Sequence, residues 1–133
     1  MTSVDSAAPE RCPCLSGETY LNCCGRYHRD GTTPPTAELL MRSRYSAFAV
    51  GDAGYLLRTW HPRTRPAALE LDEALRWSRL DIERTESGGM FDTDGVVEFT
   101  AYGRENGERL QQHETSRFVR VDGRWVYLDA VDE

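Results

Sequence analysis

The sequence lacks the features that place a chain in a membrane or an export pathway. None of its 133 residues belongs to an apolar run that approaches the roughly 20 residues of a membrane span. Residues 1–10 also lack the basic start and the apolar run of a secretion signal. We therefore expect a soluble, cytoplasmic protein without a membrane partner, in a compartment where thiols stay reduced.

An excess of positive charge is missing as well, because 16 basic residues are outnumbered by 22 acidic ones and the formal net charge is -6. Broad nucleic-acid binding depends on clustered basic side chains that neutralise phosphates, so a nucleic-acid partner is not expected. Residues 42–66 are a local exception, with Asp52 as their single acid. Their basic residues are Arg42, Arg44, Arg58, His61, Arg63 and Arg65. Such a region could hold an anionic ligand or partner, although a solvated surface explains it equally simply.

Recognisable catalytic motifs are also missing. The sequence contains no serine or cysteine nucleophile motif, no phosphate-binding glycine loop and no pair of carboxylates at a spacing that demands catalysis. We therefore favour a non-enzymatic function over an enzymatic one.

Cysteine is absent from the chain except in residues 12–25, which contain Cys12, Cys14, Cys23 and Cys24. Eight residues separate the first pair of thiols from the second pair. This length allows both pairs to fold onto one tetrahedral zinc ion. The alternatives are free thiols or two disulfides. Disulfides between Cys12 and Cys14 or between Cys23 and Cys24 would be strained, and crossed pairs would need an oxidising compartment. Four thiolates leave zinc no open position for water, so such a site would be structural.

The same segment resembles the SEC-C motif, a zinc-binding element known from the C-terminus of the bacterial preprotein translocase ATPase. The motif reads Cys-x-Cys-x-Ser-Gly-x-x-Tyr-x-x-Cys followed by His or Cys, and every fixed position is present. The resemblance implies a knuckle over residues 12–30 whose zinc ligands are the four cysteines, with Ser16, Gly17 and Tyr20 shaping the turn. His28 is an open alternative to one of the adjacent cysteines.

The rest of the chain divides into helices followed by strands. Residues 1–11 are predicted to be a disordered lead, residues 31–35 a linker and residues 36–133 the main domain. Three helices are predicted, over Thr36–Val50 with Gly51 as its stop, over Asp52–Trp60, and over Ala67–Arg76. The apolar stripe predicted for the first helix consists of Ala37, Leu40, Met41, Tyr45 and Phe48, with Arg44 in the middle.

From Trp77 onward, apolar and polar residues alternate with a period of two, which predicts half-buried strands. Turn signals at residues 88–95, 105–107 and 122–123 divide this region into an antiparallel meander. The order of elements predicts an α+β fold in which helices cover one face of a curved sheet. It matches the cystatin-like cone of the nuclear transport factor two (NTF2) superfamily.

Four stretches make the resemblance more specific, namely residues 35–48, 59–66, 113–118 and 122–125. They resemble the bacterial YchJ family, which joins SEC-C knuckles to such a cone domain. The resemblance covers nearly the whole chain and implies no established activity.

Alternation along the third long strand turns one set of side chains toward the core, namely Leu110, Gln112, Glu114, Ser116 and Phe118. Glu114 would then meet Arg44 inside the cone, because a buried charge needs a partner. The pair could pin helix to sheet, or it could belong to a ligand pocket. The pocket would have a polar floor of Arg44, Gln112, Glu114 and Ser116 and walls of Tyr45, Trp60, His61, Trp125 and Tyr127.

Two functional hypotheses follow. The first, which we favour, is a zinc-knuckle adaptor that binds a protein partner through the knuckle. The second is a small-molecule binder or enzyme, in which Arg44 holds an anionic group and Glu114 or His61 serves as acid or base. Exposed sheet faces would also permit a homodimer.

Overall fold

A computed structural model describes residues 10–30, 32–72 and 74–131. Within these ranges the chain forms three helices and then a single four-stranded antiparallel sheet in the order β1-β2-β3-β4. The helices are α1 (Cys24–Asp30), α2 (Ala37–Val50) and α3 (Ala53–Arg58). The strands are β1 (Leu75–Ser87), β2 (Asp94–Glu105), β3 (Glu108–Val121) and β4 (Arg124–Ala130). The predicted α+β fold with a meander is confirmed.

The central helix, α2, begins and ends where its sequence predicts. Thr36 caps it, because its hydroxyl accepts a hydrogen bond of 3.1 Å from the backbone N–H of Leu39. Gly51 ends it in the left-handed conformation, with φ of 83°. One residue of the predicted apolar stripe differs, because the side chain of Phe48 is 38% exposed. Phe48 lies at the mouth of a cavity instead of in the core.

The prediction of a helix over Ala67–Arg76 is wrong. The described residues between 67 and 74 form no helix, and β1 begins at Leu75. Leu69 and Leu71 are half-buried and pack against a cluster of Tyr27, Ala47, Tyr55 and Leu56. Two leucines spaced by two reach the same side only in an extended chain, and this packing outweighs the helix propensity of the segment.

The hairpin turns are formed as the sequence predicts. Asn106 and Gly107 both have positive φ at the β2–β3 turn, as do Asp122 and Gly123 at the β3–β4 turn. Two consecutive positive φ values are typical of the tight turns whose twist matches that of the flanking strands. The register set by the β3–β4 turn places Tyr127 opposite Phe118, and the Tyr127 hydroxyl reaches the carboxylate of Glu114.

The two edges of the sheet differ. The outer edge of β4 is paired with residues 59–61, because the N–H of Tyr127 donates to the carbonyl of Thr59 and the N–H of His61 donates to the carbonyl of Tyr127. The outer edge of β1 has no partner strand among the described residues. Instead β1 has two register shifts against β2, and five of its side chains carry charge outward: Arg76, Arg79, Glu83, Arg84 and Glu86.

The core lies between α2 and the inner face of the sheet. Its members include Leu40, Met41 and Tyr45 of α2 together with Val97, Phe99, Ala101, Phe118 and Trp125 of the strands. The four cysteines belong to the same core cluster. None of the helices formed by the described residues is long and apolar enough to cross a membrane.

Candidate functional site

The cysteine-containing segment folds as a compact turn that precedes α1. An isolated antiparallel bridge joins Arg11 to Thr19, so the ordered chain includes part of the predicted disordered lead, of which residues 1–9 lie outside the described residues. Gly25 is required here, since a Cβ at this position would lie 2.6 Å from the carbonyl oxygen of Tyr20. The turn therefore brings both cysteine pairs together at the start of the helix.

The four cysteine sulfur atoms form one cluster. All four lie within 4.8 Å of one another, and the sulfurs of Cys14 and Cys23 are 3.7 Å apart. Tetrahedral zinc with bonds of about 2.3 Å places its sulfur ligands about 3.8 Å apart. The cysteines are buried and form no disulfide. The donor set and its spacing therefore fit a closed, four-thiolate metal site.

Thiol ionisation in the cluster points to the same conclusion. Hydrogen bonds from Cys14 and Cys24 lower the pKa of the Cys12 thiol, whereas the contact with Cys12 raises the pKa of Cys14 and of Cys24. One thiolate is stabilised at the expense of its neighbours, because several negative charges cannot share a buried site. A divalent cation removes this penalty, and all four sulfurs can then ionise.

His28 does not join the cluster. Its Nε2 lies 2.8 Å from the carbonyl oxygen of Ser43, to which it donates, and its Nδ1 lies 2.6 Å from the hydroxyl of Tyr20. Both ring nitrogens are thus occupied by protein partners, so His28 positions the knuckle on α2 instead of acting as a ligand. Burial lowers the pKa of this imidazole.

Several further contacts attach the knuckle to α2. The sulfur of Cys12 lies 3.5 Å from the hydroxyl of Ser46, and Nη1 of Arg42 donates to the carbonyl of Cys14 at 3.3 Å. Ser43 and Ser46 are fully buried beneath the knuckle. The cysteine cluster is consequently part of the core that α2 shares with the sheet.

A separate cavity of about 360 Å³ lies between α2, the sheet and residues 69–72. Most of the predicted pocket residues line it, namely Arg44, Tyr45, Trp60, Gln112, Glu114, Ser116 and Tyr127. Sequence reasoning missed the apolar walls: Met41, Phe48, Leu69, Leu71, Leu75, Trp77, Phe99 and Ala101. The period-two spacing of Leu69 and Leu71 was the available signal for the wall that these two residues form.

Two predicted pocket residues lie elsewhere. The indole N–H of Trp125 donates to the carbonyl of Pro35, and this side chain lines a second cavity of about 280 Å³. His61 lies in the turn after α3, where its Nδ1 accepts from the N–H of Arg63. Their assignment to the pocket is therefore corrected, because the backbone pairing of His61 with β4 turns that corner away from the cavity.

Arg44 is buried without a carboxylate partner among the residues that the structure describes. Its side chain is 4% exposed, and its Nη1 donates to the carbonyl of Leu56 at 2.9 Å and to the hydroxyl of Thr59 at 2.7 Å. The guanidinium lies over the rings of Trp60 and Tyr127, at 5.2 and 4.8 Å from their centroids. Burial lowers the pKa of Arg44 to about 10, so the group stays protonated at neutral pH.

The expected ion pair between Arg44 and Glu114 is not formed, because Tyr127 lies between them. The Tyr127 hydroxyl donates to Oε2 of Glu114 at 3.1 Å, while its ring face contacts the guanidinium. Ser116 donates to the same carboxylate oxygen at 2.7 Å. Glu114 therefore obtains its partners from neutral side chains on β3 and β4.

Two buried donors along this side of α2 have no hydrogen-bond partner within the described part of the chain, namely the hydroxyl of Tyr45 and the indole N–H of Trp60. Buried polar groups are nearly always satisfied, so an orphan beside a cavity indicates a missing ligand or water. Both residues line the cavity that contains Arg44.

The fold and these sites define the class of the protein, which is an NTF2-like cone with a four-cysteine knuckle built into its core. Residues 36–130 match the family described as "YchJ, middle NTF2-like domain". The chain therefore belongs to the YchJ family.

Relatives and solved structures agree with this assignment. The chain is 58% identical over 118 residues to a UPF0225 protein of Streptomyces coelicolor, covering 89% of this chain and 92% of that protein. A SEC-C motif containing protein from Rhodopseudomonas palustris, solved in solution, is similar with a TM-score of 0.79 and 32% identity, covering 92% and 98% of the two chains. The crystal structure of a SEC-C motif containing protein from Psychrobacter arcticus is similar with a TM-score of 0.71 and 26% sequence identity. The match covers 92% of this chain and 83% of that chain.

Proposed function

We propose that this protein binds a small molecule in the cavity of the cone, with the anionic group of the ligand held by Arg44. One observation carries the proposal. The guanidinium is buried in the wall of a cavity of about 360 Å³, yet no described carboxylate forms an ion pair with it. Apolar walls with a few convergent polar groups are the usual composition of a ligand site.

The energetic argument concerns the solvation of this cation. A buried charge that lacks an opposite charge is strongly disfavoured, and the aromatic faces of Trp60 and Tyr127 offset only part of the cost. Only Nη1 has hydrogen-bond partners among the described residues, so other N–H groups of the fork remain available. An anionic group in the cavity would accept these hydrogen bonds and restore the lost solvation.

We further propose that the four cysteines hold zinc as a structural ion. The sulfur spacing, the burial and the closed donor set support zinc, since four thiolates without an open position suit a structural site. In this proposal the metal supports α2, which in turn positions Arg44. No catalytic step is proposed, because His61 lies outside the cavity and Glu114 already accepts hydrogen bonds from neutral neighbours.

The ligand proposal is tested by calorimetric screening of the zinc-loaded protein against small apolar carboxylates, together with the R44K variant. Lysine keeps the charge but loses the planar fork and the stacking, so binding should weaken about tenfold or more. The matched control is R109K, because Arg109 is an exposed arginine on β3 outside the cavity. Equal affinities for the wild-type protein and a folded R44K variant would contradict the proposal.

A knuckle adaptor remains a second candidate, on one observation. Leu15 and Leu21 of the knuckle are 59% and 53% exposed, so the segment with the buried cysteines also presents two apolar side chains to solvent. Replacing both with serine should abolish capture of a protein partner and leave ligand binding unchanged. The reverse pattern, with lost ligand binding and intact capture, would contradict the adaptor hypothesis.

A further inference from the structure

The cavity contains two opposite charges that do not neutralise each other. Arg44 projects from α2 and Glu114 from β3, and neither forms an ion pair with a described residue. Opposite charges in one cavity of low polarity normally pair directly, since that arrangement minimises the cost of burial. Here the fold keeps them apart, and this separation needs an explanation.

Tyr127 maintains the separation. Its ring occupies the position beside the guanidinium, and its hydroxyl donates to the carboxylate. The ring is held by edge-to-face contacts with Trp60 and Phe118, at centroid distances of 5.3 and 5.8 Å. The spacing between the two charges is therefore fixed by packed aromatic side chains and not by flexible ones.

The carboxylate of Glu114 retains capacity for a further donor. Both short hydrogen bonds, from Ser116 and Tyr127, reach Oε2. Among the described residues, Oε1 has only the amide of Gln112 as a partner, at 3.5 Å, which is too long for a strong bond. A carboxylate can accept several donors, so a cationic N–H group of a ligand would find Oε1 available.

The remaining walls accept an apolar body. Met41, Leu71, Trp77, Phe99 and Ala101 line the same cavity as the two charged groups. Glu70 and Asp72, both exposed, lie at the rim. One cation among three acids makes the cavity a poor host for a dianion such as a phosphate monoester, because the acids repel its second charge.

We infer that the ligand is a zwitterion with an apolar body, for which the apolar α-amino acids are the simplest members. Its carboxylate lies on Arg44, its ammonium group donates to Glu114, and its side chain occupies the apolar walls. This inference rests on the proposed ligand-binding function and specifies its chemistry. A zwitterion neutralises both charges of the cavity without changing the net charge of the protein, which a simple acid cannot do.

The test uses the zinc-loaded full chain and three matched probes for each amino acid, measured by titration calorimetry. L-Phenylalanine and L-leucine carry both charges, their N-acetyl derivatives keep only the carboxylate, and their amides keep only the ammonium group. We expect at least one free amino acid to bind about tenfold or more tightly than either of its derivatives, since each derivative leaves one charged group of the cavity without a partner.

Two variants separate the roles of the charges. E114Q should remove the preference for the free amino acid over its N-acetyl derivative, whereas the control E108Q, an exposed glutamate on the same strand, should retain it. Thermal unfolding establishes that each variant is folded. If E114Q fails to fold, the three wild-type titrations decide the question without it.

The possible outcomes distinguish the two proposals. N-acetyl derivatives that bind as tightly as the free amino acids would overturn the zwitterion inference and leave the anion site on Arg44 intact. Amides that bind as tightly as the free amino acids would overturn both. Absence of binding by every amino acid, with binding of a simple apolar carboxylate, would overturn only the inference.

Discussion

Among the individual side chains, Tyr127 has the largest effect on the cavity. The sequence places Arg44 and Glu114 on facing elements, and in the structure both residues line the same cavity. The sequence does not predict that the ring of Tyr127 lies between them, because this position depends on the register of β3 with β4. A contact of this kind depends on the rotamers of three distant residues, and periodicity carries no information about rotamers.

His28 is a second residue whose environment has a measurable consequence. Burial lowers its pKa, so the folded chain binds this proton less readily than the unfolded chain, in which the pKa is about 6.5. The contribution of this residue to stability is therefore present above about pH 6.5 and declines as the pH falls toward the lowered value. An NMR titration of the zinc-loaded protein should give a pKa below 6.5 and a neutral ring protonated at Nε2, which donates to Ser43.

The opposite NMR result is equally informative. A pKa above 6.5, or a neutral ring protonated at Nδ1, would show that His28 does not accept from Tyr20 and does not attach the knuckle to α2 as described.

At the level of elements, α2 determines the position of both sites, since it carries Arg44 on one side and contacts the cysteines through Ser46 and Arg42. The carbonyl of Ser43 on the same helix accepts a hydrogen bond from His28 of the knuckle. The side chain of Thr36 caps the N-terminus of α2. The backbone N–H of Ala37 also donates to the carbonyl of Gly88, which attaches the first turn of the helix to the β1–β2 connection. Fraying of the first turn would loosen the helix against the β1–β2 connection.

The T36A variant should therefore be less stable than the wild-type protein by about 1 kcal/mol, because one backbone donor loses its capping acceptor. Urea unfolding followed by circular dichroism measures the difference. T33A is the matched control, because Thr33 lies before the helix and caps nothing among the described contacts. A loss of stability of the same size in both variants would show that the cap is not responsible.

The elements that the sequence predicted well are those with local signals. Thr36 and Gly51 mark α2, Asp52 caps α3, and the Asn-Gly and Asp-Gly pairs mark the hairpins. The prediction of a helix before β1 was wrong because the leucines of this segment fit both a helical and an extended spacing. Their packing against a cluster of residues distant in sequence decides for the extended chain. The same reason explains why the apolar walls of the cavity were missed while its polar floor was found.

At the scale of the whole molecule, the metal site and the cone have one continuous core. The cysteines cluster with Leu40, Tyr45, Phe99 and Trp125. Helix α2 lies between the cysteines and the cavity, and some of its side chains line that cavity. Loss of the metal would expose buried thiols and remove the support of α2. The unfolding of the knuckle and of the cone should therefore be coupled.

Elemental analysis should find one zinc ion per chain, and its removal by a chelator should lower the melting temperature of the entire protein. A loss of about 3 kcal/mol or more corresponds to roughly 10 °C for a domain of this size. Readdition of zinc, but not of magnesium, should restore the original transition, because thiolates select the softer ion. A metal-free protein that melts at the original temperature would contradict the coupling.

The edges of the sheet have a consequence for how copies of this chain meet. The outer edge of β4 is occupied by residues 59–61, and that of β1 is interrupted by register shifts and bordered by arginines and glutamates. Neither edge is a template on which a strand from another molecule can be added. Crowding should therefore not drive the folded protein into fibres, and any symmetric pair of these chains must use a face of the sheet and not its rim.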